Sequence, residues 1–212
     1  MRTTILAACA ALAAGCFGGL KDEVPPPLIY RVQAPALASG APLAADLLVA
    51  VDGTAPGLDG DGIAVRWPGN RLDYLAGARW AEDLPALVGS ALVEALAASG
   101  RAHSVQGDVG RFRSTHTLVV QVLRFEADYA GGGAPVAQVA LAATIGRAAD
   151  RRVLASFTVS ASEAASANRQ SAVVAALDAA FARAAAELAE KGFAAIAADP
   201  QAPAQASANI AR

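Results

Sequence analysis

Thr117-Leu-Val-Val-Gln-Val-Leu-Arg-Phe-Glu-Ala-Asp-Tyr129, Val136-Ala-Gln-Val-Ala-Leu-Ala-Ala-Thr-Ile145 and Val153-Leu-Ala-Ser-Phe-Thr-Val-Ser160 are the stretches whose reading decides the fold. Each is a run of apolar and β-branched residues, and turn signals separate them: Gly131-Gly132-Gly133-Ala134-Pro135 and the polar stretch Arg147 to Arg152. The third alternates, with Val153, Ala155, Phe157 and Val159 on one face and Ser156, Thr158 and Ser160 on the other. Three strands joined by short turns predict an antiparallel meander. The chain then changes period. From about Asn168 to Ala198, Val173, Leu177, Phe181, Ala184 and Leu188 recur at helical spacing, which predicts an Ala-lined amphipathic helix able to lie close on the sheet. Lys191-Gly192 offers this helix an early stop and Pro200 a later one.

Upstream of the meander the same reasoning predicts a first helix between Asp83, an N-cap followed by Pro85, and Gly100, a C′ residue. Leu84, Leu87, Val88, Ala91, Leu92, Ala95 and Leu96 would form its buried face. Four short strands precede it: Leu28 to Val32, Asp46 to Val51, and a hairpin of Ile63 to Trp67 with Arg71 to Leu75 around Pro68-Gly69-Asn70. The expected architecture is therefore α+β, mainly an antiparallel sheet with two principal amphipathic helices packed on one face.

The N-terminal sixteen residues read differently. Arg2 is followed by an uncharged apolar run from Ile5 to Ala14 and by Gly15-Cys16. That is the layout of a secretory signal, too short to cross a bilayer core, which needs about 20 apolar residues. Leu12-Ala13-Ala14-Gly15-Cys16 resembles the bacterial lipobox, with Leu12 four residues before the cysteine and Ala13 in the usual leucine place. This predicts cleavage after residue 15 and a lipidated Cys16; an ordinary signal peptide cut near Ala14, or a short core helix, are the alternatives. Cys9 falls inside the removed segment, so the mature chain holds Cys16 alone and no internal disulfide. Each buried methylene contributes about 0.8 kcal/mol, so two or three acyl chains hold a protein durably on a membrane. Phe17 stands where inner-membrane lipoproteins of this type carry Asp, which favours the periplasmic face of the outer membrane of a Gram-negative cell. The expected organisation is a signal peptide over 1–15, a lipidated cysteine and Pro-rich tether over 16–27, one periplasmic domain over 28–198 and a disordered tail over 199–212.

Composition narrows function. The chain has 212 residues, 57 of them Ala, with 17% charged residues and a formal net charge of −2. It carries no basic field for nucleic acid, and aromatics at 5% make no stacking platform. Asp59-Gly60-Asp61-Gly62 starts like a calcium loop, but the twelfth position is Asn70 where that loop needs Glu. His103 and His116, thirteen apart with no cysteine beside them, make no zinc set. Gly131-Gly132-Gly133 lacks the following helix and Lys-Ser/Thr of a phosphate loop, and no Ser sits in a Gly-x-Ser-x-Gly setting. No catalytic residue, metal or cofactor is expected. Candidate contacts with a partner or with lipid phosphates are Arg111 and Arg113, with Arg101 nearby, and the Tyr74, Arg79 and Trp80 group. A solvated loop is the plainer reading of the arginines, and Trp80 equally fits a residue closing the core.

Several of these stretches carry a likeness. Leu28-Ile-Tyr-Arg-Val32 after the cysteine, Ile63-Ala-Val-Arg66 leading through Leu72-Asp-Tyr74 to Arg79-Trp80-Ala81-Glu82-Asp83-Leu84, the Leu118 to Asp128 strand and the Ala-rich last helix together resemble the ABC-type transport auxiliary lipoproteins, which include the paraquat-inducible protein C group. The likeness spans about residues 28 to 190. It implies a non-enzymatic lipoprotein on the periplasmic face of the outer membrane. Such a protein would work with a mammalian-cell-entry domain protein and an ABC permease complex to move phospholipid or other hydrophobic molecules between membranes. Cys16 is the one residue to which the resemblance assigns a defined role, lipid attachment; Trp80 and Phe125 match positions of structural character. A homo-oligomer is compatible with this reading. An assembly or structural outer-membrane lipoprotein, a chaperone-like partner of another envelope machine, is the alternative.

Overall fold

The structure is a computed structural model, and it describes residues 25–108 and 112–200. Cys16, the expected signal peptide, Arg111 and residues 201–212 lie outside the described residues. The elements run β1 (Leu28–Tyr30), β2 (Leu43–Thr54), β3 (Gly62–Trp67), β4 (Arg71–Trp80), α1 (Leu84–Ala98), β5 (Ala102–Gly107), β6 (His116–Asp128), β7 (Val136–Arg147), β8 (Arg152–Ala164) and α2 (Gln170–Ala197).

β6, β7 and β8 form the antiparallel meander that the turn signals predict. The opposite edge of β6 is shared by two strands placed end to end. β2 pairs with its first half, Leu47 opposite His116 through Thr54 opposite Val122, and β3 with its last residues, Ala64 opposite Glu126 through Arg66 opposite Asp128. Beyond β2 lies β5, and beyond β3 lie β4 and then β1. The sheet thus forks at β6.

The expectation of a mainly antiparallel sheet is corrected here. The sheet is mixed, and among the described residues four of its seven strand pairings, β1 with β4, β2 with β5, β2 with β6 and β3 with β6, are parallel. Parallel partners cannot be joined by a tight hairpin. They are separated by long stretches of chain: 31–70 between β1 and β4, starting with a strap over 31–42, 55–101 between β2 and β5, 55–115 between β2 and β6, and 68–115 between β3 and β6. Pairing between residues so far apart leaves no local turn signature. β5 has no counterpart among the strands predicted from the sequence. As a short edge strand, Ala-His-Ser-Val-Gln-Gly, it has little hydrophobic alternation to mark it.

Both helices pack on one sheet face. Their contacts are made with β2 and β5 for α1, and with β6, β7 and β8 for α2. Every residue predicted for the buried face of α1 is buried, as are Val173, Leu177, Phe181, Ala184 and Leu188 of α2. α2 continues through Lys191-Gly192 to Ala197, because Phe193 and Ile196 extend its apolar stripe into the core. Ala172, Ala176, Ala180, Ala184 and Ala185 are all buried, so small side chains hold this helix close to the strands. Phe181 lies 5.9 Å from Phe125, which meets Trp80 edge-on at 5.8 Å, centring the core on an aromatic row.

Asp83 is the N-cap residue of α1, though its side chain makes no capping bond, and Gly100 has φ +66 just past the helix end. At the β3–β4 turn, Gly69 and Asn70 both have positive φ, as a tight hairpin requires. One register detail differs from the simple alternation. A bulge at Leu154 lets Ile145 pair with Ala155 and Gly146 with Val153. Val153 therefore turns away from the core and is 58% exposed, while Ala155, Phe157 and Val159 stay on the helix side.

Candidate interaction site

The sheet face opposite the helices has no covering element among the described residues. It is paved with small and hydroxyl side chains from β7 and β8, including Ala140, Ala142, Thr144, Ser156, Thr158 and Ser160, with Thr144 and Ser156 hydrogen-bonded at 3.1 Å. Toward the β3 fork a charged cluster interrupts it. Arg66 binds Asp128 directly and reaches Glu126 at 3.5 Å; Arg124 holds Glu126 at 2.8 Å. Burial opposes ionisation of Asp128, but the Ala130 amide and the Arg66 and Arg124 guanidiniums outweigh it and hold the carboxyl below the usual range. The cluster is internally neutralised, two cations to two carboxylates, and so supplies no net field to a ligand.

Tyr74 and Arg79 flank this face on β4. Gly62 has no Cβ because the Tyr74 ring lies over it, and a Cβ there would come within 2.4 Å of the ring. The Tyr74 hydroxyl donates to the Gly57 carbonyl at 3.1 Å, which fixes a half-exposed aromatic at the surface with Leu72 beside it. Arg79 pairs with Asp61 at 3.2 Å. Trp80, the third member of the predicted group, is 1% exposed and packed in the core. Its indole N–H has no hydrogen-bond partner among the described residues.

The opposite end of the sheet carries Arg113. The Gln106 side-chain amide donates to the Phe112 carbonyl at 2.8 Å, which holds the neighbouring Phe112 at 85% exposure. Behind it, a cleft of about 560 Å3 runs between residues 112–115 and the turn after β7, floored by His116 and Arg147. The floor is an ionic cluster that sequence reasoning missed. Arg147 binds Asp150 in a two-pronged contact at 3.0 Å and Asp199 at 3.1 Å, and His116 Nε2 lies 3.6 Å from Asp199. Burial lowers the His116 pKa, and the nearby Arg147 adds to this, against the opposing pull of Asp199. Asp199, placed at sequence level in the tail, is instead buried and pins the end of α2 to β6 and β7.

β2 and β5 bring Asp46, His103 and Ser104 together. His103 Nδ1 lies 2.8 Å from Asp46 Oδ1, and the Ser104 hydroxyl donates to the same oxygen at 2.5 Å. These two bonds depress the Asp46 pKa. The serine is bonded to the carboxylate, so it does not occupy a nucleophile's place at the far imidazole nitrogen. A second, apolar cleft of about 540 Å3 lies along α1 beside β5, lined by Val51, Pro85, Gly89, Val93 and Gly107. Among the described residues, no group of three or more His, Cys, Asp or Glu is placed to hold a metal. No described helix is long and apolar enough to cross a membrane.

The surface offers a hydrogen-bonded aromatic, compensated charge and a sheet face of small and hydroxyl side chains. Among the described residues, Tyr74, Arg79 and Arg113 do not converge on one cavity. Comparison with solved structures finds protein XCC0632 from Xanthomonas campestris at 30% identity and TM-score 0.72, covering 79% of this chain and 94% of that one. An uncharacterized protein at 18% identity shares the fold with TM-score 0.59, covering 78% of this chain and 98% of that one. No curated protein matches. The family model for the ABC-type transport auxiliary lipoprotein component matches residues 31–189, from the strap after β1 to the last turns of α2. The chain belongs to the ABC-type transport auxiliary lipoprotein family.

Proposed function

We propose that this protein is a lipid-anchored, non-catalytic docking component of an ABC and mammalian-cell-entry-type system that moves phospholipid or other hydrophobic molecules between envelope membranes. The observation that carries the reading is the family match over residues 31–189, which takes in nearly the whole folded core. The lipobox-like run ending at Cys16 supports it by supplying an anchor, with eleven residues between Cys16 and β1 as tether. Anchoring removes most of the translational search, so docking on a transport bridge needs no high solution affinity. The periplasmic face of the outer membrane is the proposed location, because Phe17 follows Cys16.

Purification of the tagged chain from solubilised native membranes is the test. Recovery of mammalian-cell-entry domain proteins and permease subunits is expected, and recovery of neither rejects the assignment. The anchor is checked separately: Cys16→Ala is expected to abolish fatty-acid labelling and release the protein from the membrane fraction.

A further inference from the structure

The cleft of about 540 Å3 along α1 runs beside Pro85, Gly89 and Val93, with Val51 of β2 and Gly107 at the end of β5 also lining it. From Pro85 to Val93 the helix rises about 12 Å, roughly two turns. Two bare backbone positions keep the cleft open. A Cβ on Gly89 would lie 3.4 Å from a Val51 methyl, and one on Gly107 would lie 3.8 Å from a Val93 methyl, both ordinary van der Waals separations. Glycine in a helix interior lowers helix stability relative to alanine, so the chain's own packing gives no reason for Gly89. The charge around the cleft is one-sided. Glu94 and Asp108 line it, Asp52 follows Val51, and Asp83 is the N-cap residue of the same helix. Among the described residues none of these four forms an ion pair, whereas Glu126, Asp128, Asp150, Glu163, Glu187 and Glu190 all do. No described lysine or arginine lines the cleft; Arg31 lies in a separate one on the neighbouring face of α1.

An apolar floor and an uncompensated acidic rim together select the occupant. A phospholipid phosphate or a fatty-acid carboxylate would meet Glu94 and Asp108 beside the apolar surface, and like charges repel, so the cleft disfavours both. A basic partner gains from the same carboxylates. The small wall of Ala86, Gly89 and Ser90 lets a second helix come close to α1. Two turns of cleft also match the i, i+3, i+4 and i+7 anchors of an amphipathic helix laid in a groove. We propose that the cleft docks an amphipathic helix of a partner protein, its apolar anchors seated on Val51 and Val93 and its flanking lysine or arginine paired with Glu94 and Asp108. Such docking deepens the function proposed above and rests on it only for the partner's place in the transport system.

The probe is a fluorescein-labelled peptide of about 18 residues, long enough to hold a helix, with leucine at that spacing and lysine on the flanks. One control peptide carries glutamate on the flanks and another carries serine in place of leucine. With the full mature chain as Cys16→Ser, which needs no detergent, anisotropy should show saturable binding of the leucine–lysine peptide and about tenfold weaker binding of both controls. Glu94→Lys and Asp108→Lys, at exposed positions, should each weaken binding about fivefold with the melting temperature unchanged. The two together should turn the preference to the glutamate-flanked peptide. Ser90→Trp, also exposed, should fill the cleft and abolish binding of either peptide. Equal binding of the glutamate-flanked peptide to the parent, or binding indifferent to the paired lysine substitutions or to Ser90→Trp, would overturn the proposal. Purification from native membranes separates this outcome from the function itself. If the chain with both lysine substitutions recovers the same transport components as the parent, the cleft is rejected and the transport role stands. If the peptide binds as expected but the parent recovers no such components, the transport role is rejected and the cleft stands.

Discussion

Single residues set the pH response. Asp178 sits on α2 with the Gln33 amide 3.4 Å from its Oδ1, and burial pushes its pKa up to about 6. The folded chain therefore holds a proton that the unfolded chain has lost between about pH 4 and 6, so stability falls as pH rises through that window. Asp178→Asn is expected to raise stability at pH 7 by about 1–2 kcal/mol, the full shift being discounted for partial exposure, and to flatten this slope. Chemical denaturation at pH 5 and pH 7 reads both effects. His116 acts in the opposite direction: burial lowers its pKa, so its contribution is present above the unfolded value of about 6.5 and is lost as pH falls below it. His116→Gln should remove that acid-side loss, visible as a weaker decline in melting temperature from pH 6.5 to pH 5. Neither role was legible in the sequence. His116 looks like a loop or strand-edge histidine until the end of α2 brings Asp199 to it, 83 residues downstream.

The second scale is the element, where periodicity was most informative. The apolar stripes of α1 and α2 are local patterns, and each buries as the 3.6-residue period requires. Phe181 lies at the middle of the α2 stripe, fully buried against Phe125. Phe181→Ala is expected to cost about 3–5 kcal/mol, measured by denaturant midpoint, because the Ala-lined helix has few large neighbours to collapse into the cavity. At the β3–β4 hairpin the controlling feature is a missing side chain. Gly62→Ala should displace the Tyr74 ring and break its bond to Gly57, seen as altered tyrosine fluorescence with the core packing retained. Where periodicity is weak the reading failed. β5 has no apolar alternation, and the bulge at Leu154 reverses Val153 in a strand whose letters alternate cleanly. A bulge leaves no mark in the composition of the strand that carries it.

For the whole molecule, the two helices, the meander and the forked strands share one hydrophobic cluster that runs from Val32 to Ile196. Unfolding is therefore expected to be a single cooperative transition. Tryptophan fluorescence, reporting Trp80 in the core and Trp67 stacked on Tyr129, should coincide with far-UV circular dichroism, and separate transitions would contradict a shared core. The sequence by itself determined the two amphipathic helices, the meander, the β3–β4 hairpin and the resemblance to a lipoprotein family. All of these are written in local spacing, turn residues or short motifs. Only the tertiary structure decided that most strand pairings are parallel, that β2 and β3 share one edge of β6, that Trp80 is core while Tyr74 is surface, and that Arg147, His116 and Asp199 meet. The physical reason is the same in each case. Parallel pairing and buried ionic contacts join residues tens of positions apart, and such contacts are chosen by the packing of complete faces, which no local pattern encodes.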